Sequence, residues 1–394
     1  MTGRDSRADV GFTPSAGRTL GVEWELGLVD PQTLDLTSRA EEVMARVAGD
    51  GAGGTMASAP RSTITKELLR NTIEIVTGVC ETAEEAGSQL REGVGAVRDA
   101  ADELGVLLFG AGAHPTSRWE DQEVTPGERY ATLIDRTQMW GRQMVIYGVH
   151  VHVGIRSAAK VWPLVNALLA YHPHLTAISA SSPYSGGRDT GYASNRTMLF
   201  QQLPTAGLPF QFETWEEYRR YLHDVFTTGV VDDLTELRWD IRPSLRLGTI
   251  EVRAFDGMSR VEDVTAVAAL VHCLVTHLEE RLDEGRLPAA LPPWHVQENK
   301  WRAARYGLDA IVIADAASRE VHVVDDTLAL LDRLEPVARR LGCAGPLADV
   351  ERIVRGDAGY RRMRAAVEAA DGDVHEAVRV ALVPGSGAEQ NGRP

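Results

Sequence analysis

GVEWELGLVD, residues 21–30, is apolar enough for a buried strand yet carries two carboxylates, Glu23 and Glu25. Side chains along a strand alternate between its faces, so both acids point one way, roughly 7 Å apart, while Val22, Trp24 and Leu26 point the other. Read alone, a half-exposed edge strand with solvated acids accounts for this equally well. The same oddity recurs far away in the chain. In YGVHVHVGI (147–155), His150 and His152 alternate with Val149, Val151 and Val153. In GTIEVRAFDG (248–257), Glu251 and Arg253 share a face, and Ile250 and Val252 share the other. In ELLRNTIEIVTG (67–78), Glu74 lies between Ile73 and Ile75, with Glu67 seven residues earlier. Brought into one sheet, the four segments predict an inner wall of carboxylates.

Helical patterns alternate with these strands. Thr82 with Glu85, Thr214 with Glu217, and Ser259 with Glu262 have the spacing of a capping box at a helix start. After the first, Leu90, Val94, Val97, Ala101 and Leu104 recur at steps of three and four, which makes one face core. GVLLFGAG (105–112) reads as a further strand, and from about residue 300 the chain is mostly helical. The pattern predicts one composite α+β domain over residues 19–384, its sheet covered on the outer side by helices. Residues 1–18 and 385–394 read as disordered, being polar and without periodicity.

Composition narrows the partners. The 394-residue chain is 44% hydrophobic and carries a net charge of −15 with no block of Lys or Arg, which argues against nucleic acid or an anionic membrane and suits divalent cations. The longest apolar runs, such as VTAVAALVHCLV (264–275), read as too short and too amphipathic to cross a bilayer. Residues 1–18 lack the apolar stretch of a signal peptide, so a cytoplasmic location is the expectation. Cys80, Cys273 and Cys343 are odd in number, far apart in sequence and in no CxxC spacing, and read as small buried residues rather than a disulfide or thiolate metal site.

A wall of like charges raises the pKa of its members, and divalent cations relieve it. Oxygen-rich ligation with at most one imidazole favours Mg²⁺ or Mn²⁺ over zinc, with His150 or His152 as that imidazole. Mg²⁺ commonly binds nucleotide phosphates, which points to phosphoryl chemistry. Cationic partners for phosphate are at hand in Arg253, in Arg242, and in Arg196 at the end of the loop SPYSGGRDTGYASNRT (182–197). That loop has the length and composition of a lid or a substrate-contacting turn. The GxG of FGAGAHP lacks both the GK[ST] of a P-loop and the context of a dinucleotide fingerprint, and neither a GxSxG elbow nor a CxxC pair is present.

Taken together, GVEWE, KELLRNTIEIVTG, GVHVHVG, SSPYSGGRDTGYASNR, PTAGLP, RPSLRLGTIEVRAFD and ENKWRAARYGLDA resemble the carboxylate-amine ligases of the glutamate-cysteine ligase type 2 group, over about residues 20–310. The resemblance implies a glutamine-synthetase-like fold, an antiparallel sheet curled into a funnel, with ATP and Mg²⁺ as cofactors. The implied reaction phosphorylates the side-chain carboxylate of glutamate, and an amine such as cysteine then displaces phosphate. Carried over residue by residue, Glu23, Glu25, Glu67, Glu74, His150 and Glu251 become metal ligands, and Arg253, Arg196 and Arg242 hold nucleotide phosphates. A homodimer is implied at the same level. The group often has a third Glu where this chain has Trp24, which by alternation faces away from the site. A Mg²⁺-dependent hydrolase or guanidino kinase on the same funnel, and a non-catalytic nucleotide or amino-acid sensor, are the competing readings. Trp301, Arg302 and Arg305 fit either a ligand contact or a surface helix.

Overall fold

The computed structural model of the protein describes residues 11–49, 56–59 and 61–385. Residues 1–10 and 386–394 of the segments expected to lack order lie outside the described residues. Residues 13–18 do not follow that expectation: Thr13 donates to the Leu245 carbonyl at 3.0 Å, Ser15 to Ile155 at 3.1 Å and Arg18 to Gly154 at 3.3 Å. Those bonds pair this segment with strand ends that would otherwise expose their carbonyls.

One sheet organises the molecule. Its strands are β1 (Leu20–Val29), β2 (Met56–Ala59), β3 (Ser62–Lys66), β4 (Thr72–Thr77), β5 (Leu107–Phe109), β6 (Gly148–Gly154), β7 (Ile241–Ser244) and β8 (Thr249–Asp256). They run β7-β8-β6-β1-β4-β3-β2, every neighbour antiparallel, and β5 pairs with the far end of β1. All the strand segments expected from sequence enter this sheet. The strand opened by Glu23 is therefore central, flanked by β6 and β4.

Helices cover one face. Ala83–Glu103 and Val261–Asp283 cross at Gly87, where a Cβ would sit 2.6 Å from Thr265 Oγ1, so only glycine permits the approach. Val261–Asp283 corrects an expectation. It is long and apolar enough to cross a membrane by length and composition, whereas the apolar run alone looked too short. The fold buries it between the sheet and the C-terminal helices Val323–Arg340 and Ala344–Arg352. Thr82 and Thr214 cap their helices as expected, accepting from Glu85 N at 3.1 Å and Glu217 N at 3.2 Å. Ser259 does not: that helix starts at Val261 without a side-chain cap. The helix begins one residue later than the spacing implies, so Arg260 and not Ser259 stands in the capping position.

The C-terminal part is helical, as expected, but contains a hairpin, Ile311–Ile313 with Glu320–His322. The main core runs from Leu20 to Tyr360, with two smaller apolar clusters beside it, one around Phe109, Tyr147 and Met363 and one around Met144, Phe200 and Leu203. Cys273 and Cys343, distant in sequence, have their sulfurs 3.5 Å apart inside the main core as buried thiols.

Trp24 points into the helix layer, fully buried, and its indole N–H donates to the Met258 carbonyl at 2.9 Å. A glutamate in its place would bury an unpaired carboxylate. Trp24→Phe removes that bond and leaves a void on the face opposite the acids, so urea denaturation should show a loss of roughly 2–3 kcal/mol. Turnover should be unchanged, and a selective loss of activity at full stability would contradict the assignment of faces.

Candidate active site

The other face of the sheet lines a cavity of about 940 Å³. Pairing register sets its floor. Glu23 on β1 sits opposite His150 on β6, Glu25 opposite Glu74 on β4, and Glu251 on β8 opposite both His152 and Arg242. Of the residues expected at the site, Glu23, Glu25, Glu67, Glu74, His150, Arg196, Arg242 and Arg253 line this cavity. Glu251 is buried below it, within one ligand-atom cluster with Glu23 and His150 whose atoms lie within 4.8 Å of one another. Glu25, Glu74 and His150 form a second such cluster. Glu67 belongs to neither. It lies just past β3 in the turn towards β4, not on a strand with Glu74, and accepts from its own neighbour Leu68 N at 3.2 Å.

The two histidines differ in what they have free. His150 Nδ1 lies 2.7 Å from Glu23 Oε2, which makes Nδ1 the protonated nitrogen and leaves a lone pair on Nε2. The longer 3.4 Å approach of Arg253 Nη1 to that Nδ1 is then no hydrogen bond. Nε2 is buried and has no protein partner among the described residues. His152 is fully used, Nδ1 by Thr249 Oγ1 at 2.9 Å and Nε2 by Glu23 Oε1 at 3.1 Å. Burial, with Arg253 adding to it, pushes His150 down to about 4, so it is neutral at pH 7. Burial works the same way on His152, but Glu251 and Glu23 prevail and raise it.

The acids divide similarly. Burial alone would raise Glu23, yet the bonds from His150 and His152 hold it well below the ordinary range. Burial would raise Glu251 too, and Arg242 and Arg253 hold it down. Burial and the neighbouring Glu67 push Glu25 up to about 7 against the pull of Arg196 and Arg253. Glu74 is raised well above the carboxylate range by burial and by Glu67, Glu23 and Glu25. Glu67 is raised mainly by burial. Like charges facing each other across a strand pair are destabilising, so the wall holds protons where it lacks countercharge. This donor set fits a hard divalent cation: several carboxylates, one neutral imidazole and an orphaned imidazole lone pair whose ring is oriented by a carboxylate.

Cationic groups stand beside the wall. Arg253 donates from Nη1 to Glu251, and Arg242 donates to the same carboxylate from Nε at 2.7 Å and from Nη2 at 3.3 Å. Both Glu251 oxygens are thus engaged, and a cation using Glu251 would have to displace a guanidinium. Arg196 is buried with Nη1 3.3 Å from the Arg253 carbonyl. It fits against Gly148, where any Cβ would overlap its guanidinium; the Gly148 N–H also donates to Glu25 Oε2 at 2.5 Å. The Nε–H groups of Arg196 and Arg253 are buried and find no protein acceptor among the described residues. Phe200 lies under both, with ring centroid distances of 5.5 and 5.9 Å.

Sequence reasoning missed Arg129 and Arg238, which also line the cavity. Arg129 sits on the helix Glu128–Thr137 and Arg238 follows an irregular turn, so no strand alternation marks them. Burial lowers Arg238 to about 10, still charged at neutral pH. The loop 182–197 differs from the expected lid: among its residues only Arg196 lines the cavity. Its body is tied outward, Gly187 N to Pro115 O at 2.9 Å and Arg364 Nη2 to Asp189 and Tyr192 O at 3.1 Å each. Trp301, Arg302 and Arg305 do not line the cavity either. Trp301 reaches the Tyr192 hydroxyl at 3.3 Å, Arg302 pairs with Glu298 and Glu320, and Arg305 donates to Gly191 O. Their helix instead sends Lys300 inward, where it meets buried Asp240 at 2.6 Å beside His172 at 3.0 Å.

Known proteins are similar to this chain in sequence and in fold. "Putative glutamate--cysteine ligase 2" of Mycobacterium tuberculosis (strain ATCC 25618 / H37Rv) is 53% identical over 378 residues, covering 96% of this chain and 98% of its own. "Putative glutamate--cysteine ligase 2-1" of Mycolicibacterium smegmatis is 54% identical over 374 residues, covering 95% and 96%. Among solved structures, a glutamate–cysteine ligase from Francisella tularensis in complex with AMP superposes with a TM-score of 0.66 at 12% identity, covering 94% of this chain and 89% of its own. The ligase PafA in complex with the ubiquitin-like protein Pup superposes at 0.56 and 11% identity, covering 93% and 74%. At such identities the two structures speak for the fold, a glutamine-synthetase-like ligase sheet. The family model described as glutamate-cysteine ligase family 2 matches residues 19–380, and the chain belongs to that family, an enzyme of the ATP-dependent carboxylate-amine ligases.

Proposed function

We propose that the protein joins the side-chain carboxylate of glutamate to an amine, using Mg²⁺ and ATP and passing through an acyl phosphate. One observation carries the reading: a carboxylate wall with an imidazole nitrogen faces the same cavity as two buried guanidinium Nε–H groups, and neither the nitrogen nor these N–H groups find a partner among the described residues. Cation and anion sites are thus side by side, as phosphoryl transfer from a metal-bound nucleotide requires. Glu23, Glu25, Glu74 and His150 would hold Mg²⁺, with Glu251 bracing Arg242 and Arg253 from below. When bound, the cation neutralises charge on the nucleotide phosphates.

The chain's own residues do the rest. Arg253 and Arg196 bind the transferring phosphoryl oxygens and hold them in line with the glutamate carboxylate, whose oxygen bonds to phosphorus as ADP leaves. The amine nitrogen then attacks the acyl carbon, and the carbon–oxygen bond to phosphate breaks. Glu67, outside both ligand clusters and with its proton affinity raised by burial, is placed to take the amine proton. The test is ADP release with Mg-ATP and glutamate over a panel of amines including cysteine. Release that requires both glutamate and an amine is expected. Release without amine would mean a hydrolase, and nucleotide binding without turnover would mean a sensor.

The shifted acids also fix a pH dependence. Glu25, at about 7, is largely protonated at pH 6 and ionised by pH 8, whereas His150, at about 4, is already neutral throughout. Cation binding therefore displaces protons from carboxylates and none from the imidazole. Mg²⁺ affinity should rise by about tenfold per pH unit for each proton displaced, through the Glu25 range near 7 and without a fixed plateau there, because Glu74 also holds its proton more tightly than an ordinary carboxylate. Calorimetry in buffers of different ionisation enthalpy should count at least one proton released per ion at pH 6.5. The melting temperature of the metal-free protein is a poor substitute. Raised Glu25 contributes stability that is lost as pH rises from about 4.5 to about 7, and depressed His150 contributes stability gained from about 4 to about 6.5, so the two offset.

A further inference from the structure

Asp256 closes β8 and is completely buried, yet none of the chemistry above uses it. Its Oδ2 accepts from Ser181 N at 2.9 Å and from Ser182 Oγ at 2.7 Å, and its Oδ1 accepts from Ser194 Oγ at 2.7 Å. One carboxylate therefore takes both ends of the loop that leaves the core at Ser182 and returns at Ser194. The two serines are themselves bridged in parallel. Each passes the constraint on: Ser182 Oγ accepts from Arg196 N at 3.0 Å, and Ser194 Oγ accepts from Thr197 N at 3.3 Å at the start of the helix Asn195–Phe200. Ser179 Oγ in turn accepts from Asp256 N at 3.1 Å, and Gly112 gives the carboxyl group room that a Cβ would occupy. The loop body is exposed at Ser185–Asp189, none of residues 182–194 lines the cavity, and Arg196, two residues past the loop's return at Ser194, does.

From this geometry we infer that Asp256 is a positioning residue: it staples both ends of the 182–194 loop and thereby sets Arg196 between Glu25 and the Arg253 carbonyl. It also supplies the buried countercharge that a buried guanidinium lacking a full set of acceptors needs. A carboxylate accepting three bonds from two ends of one loop is a stronger constraint than the serines alone, because any one serine can be lost while the other end stays held. The inference rests on Arg196 serving the ligase reaction, and the experiment separates the two claims.

The test uses Asp256→Ala, Ser194→Ala, Arg196→Ala and the double variant Asp256→Ala/Arg196→Ala of the full chain. Arg188, exposed at the loop tip, reports anchoring through tryptic cleavage, because a protease reads the population of the released loop. Cleavage after Arg188 should quicken about tenfold or more in Asp256→Ala and by a smaller factor in Ser194→Ala, with the circular dichroism spectrum and other cleavage sites unchanged. In amine-dependent ADP release, Asp256→Ala should lower kcat about 10²-fold with KM for glutamate changed far less, and in the Arg196→Ala background it should cost under about twofold more. Full additivity of the two substitutions would overturn the positioning role, and unchanged cleavage after Arg188 in both Asp256→Ala and Ser194→Ala would overturn the staple. Should Asp256→Ala fail to fold, Ser194→Ala and its double with Arg196→Ala are judged by the same two readouts. A wild type without amine-dependent turnover would sink the ligase reading, and the cleavage comparison would still decide the staple.

Discussion

Arg253→Ala should lower amine-dependent ADP release by about 10³-fold, equivalent to about 4 kcal/mol of transition-state stabilisation, while the protein stays folded. The reason lies in which of its bonds the protein consumes. Arg242 gives Nε to Glu251 at 2.7 Å and Nη1 to the carbonyls of Leu237 and Thr235, so it is spent on the protein itself. Arg253 spends one Nη1 on Glu251 and keeps a buried Nε–H free of any protein acceptor among the described residues. After Arg253→Ala, Glu251 still has Arg242 as its partner, and no buried charge is orphaned. Arg253→Lys keeps a charge without the planar fork and should recover only part of the rate, about tenfold. Arg242→Ala should show the reverse balance, a larger loss in denaturant stability than Arg253→Ala and a smaller loss of kcat. Steady-state kinetics with all three variants decides the point. A fall below tenfold for Arg253→Ala would remove this arginine from phosphoryl binding.

The sequence exposes the site as far as strand periodicity reaches and no further. Alternation at period two places Glu23 with Glu25, His150 with His152, and Glu251 with Arg253, and each pair does share a face. The order of the strands is invisible locally. Nothing within GVHVHVG says that β6 lies between β1 and β8, because antiparallel register is chosen by tertiary packing. That register also separates the histidines: His150 faces Glu23 directly with one nitrogen left over, while His152, one pleat on, is saturated by Thr249 and Glu23. Glu67 enters the expected ligand set through the resemblance and not through periodicity: the chain turns between it and Glu74, and a turn has no period. Arg129 and Arg238 are missed for the same reason. Ser259 has the spacing of a cap, but tertiary packing starts the helix one residue later and leaves Arg260 in the capping position. The family resemblance reaches the fold and the ligase class because it carries the register that local patterns lack.

Glu74→Gln should separate stability from function most sharply. Glu74 is buried, opposite Glu25, and raised well above the carboxylate range by burial and by three neighbouring acids. Its surroundings therefore favour the neutral form when no cation is present, and glutamine reproduces the shape and charge of that form. The metal-free variant should match or slightly exceed the wild type in urea denaturation, within about 0.5 kcal/mol, because it removes a group whose ionisation the fold resists. Adding Mg²⁺ reverses the comparison. The wild type gains stability by mass action, about 2.7 kcal/mol at a hundredfold excess over its Kd, and the variant should gain little because an amide oxygen carries no charge to offset the cation. Amine-dependent turnover should fall about 10²-fold or more, in step with the lost metal response. A variant that loses stability without Mg²⁺, or one that keeps both its Mg²⁺ response and its turnover, would mean that the acids facing one another across β1 and β4 are held apart for some purpose other than a cation. The opposite signs matter more than either number: a strand pair chosen for stability would not set two glutamates face to face, so a cost without Mg²⁺ that turns into a gain with it would assign the wall to a cation.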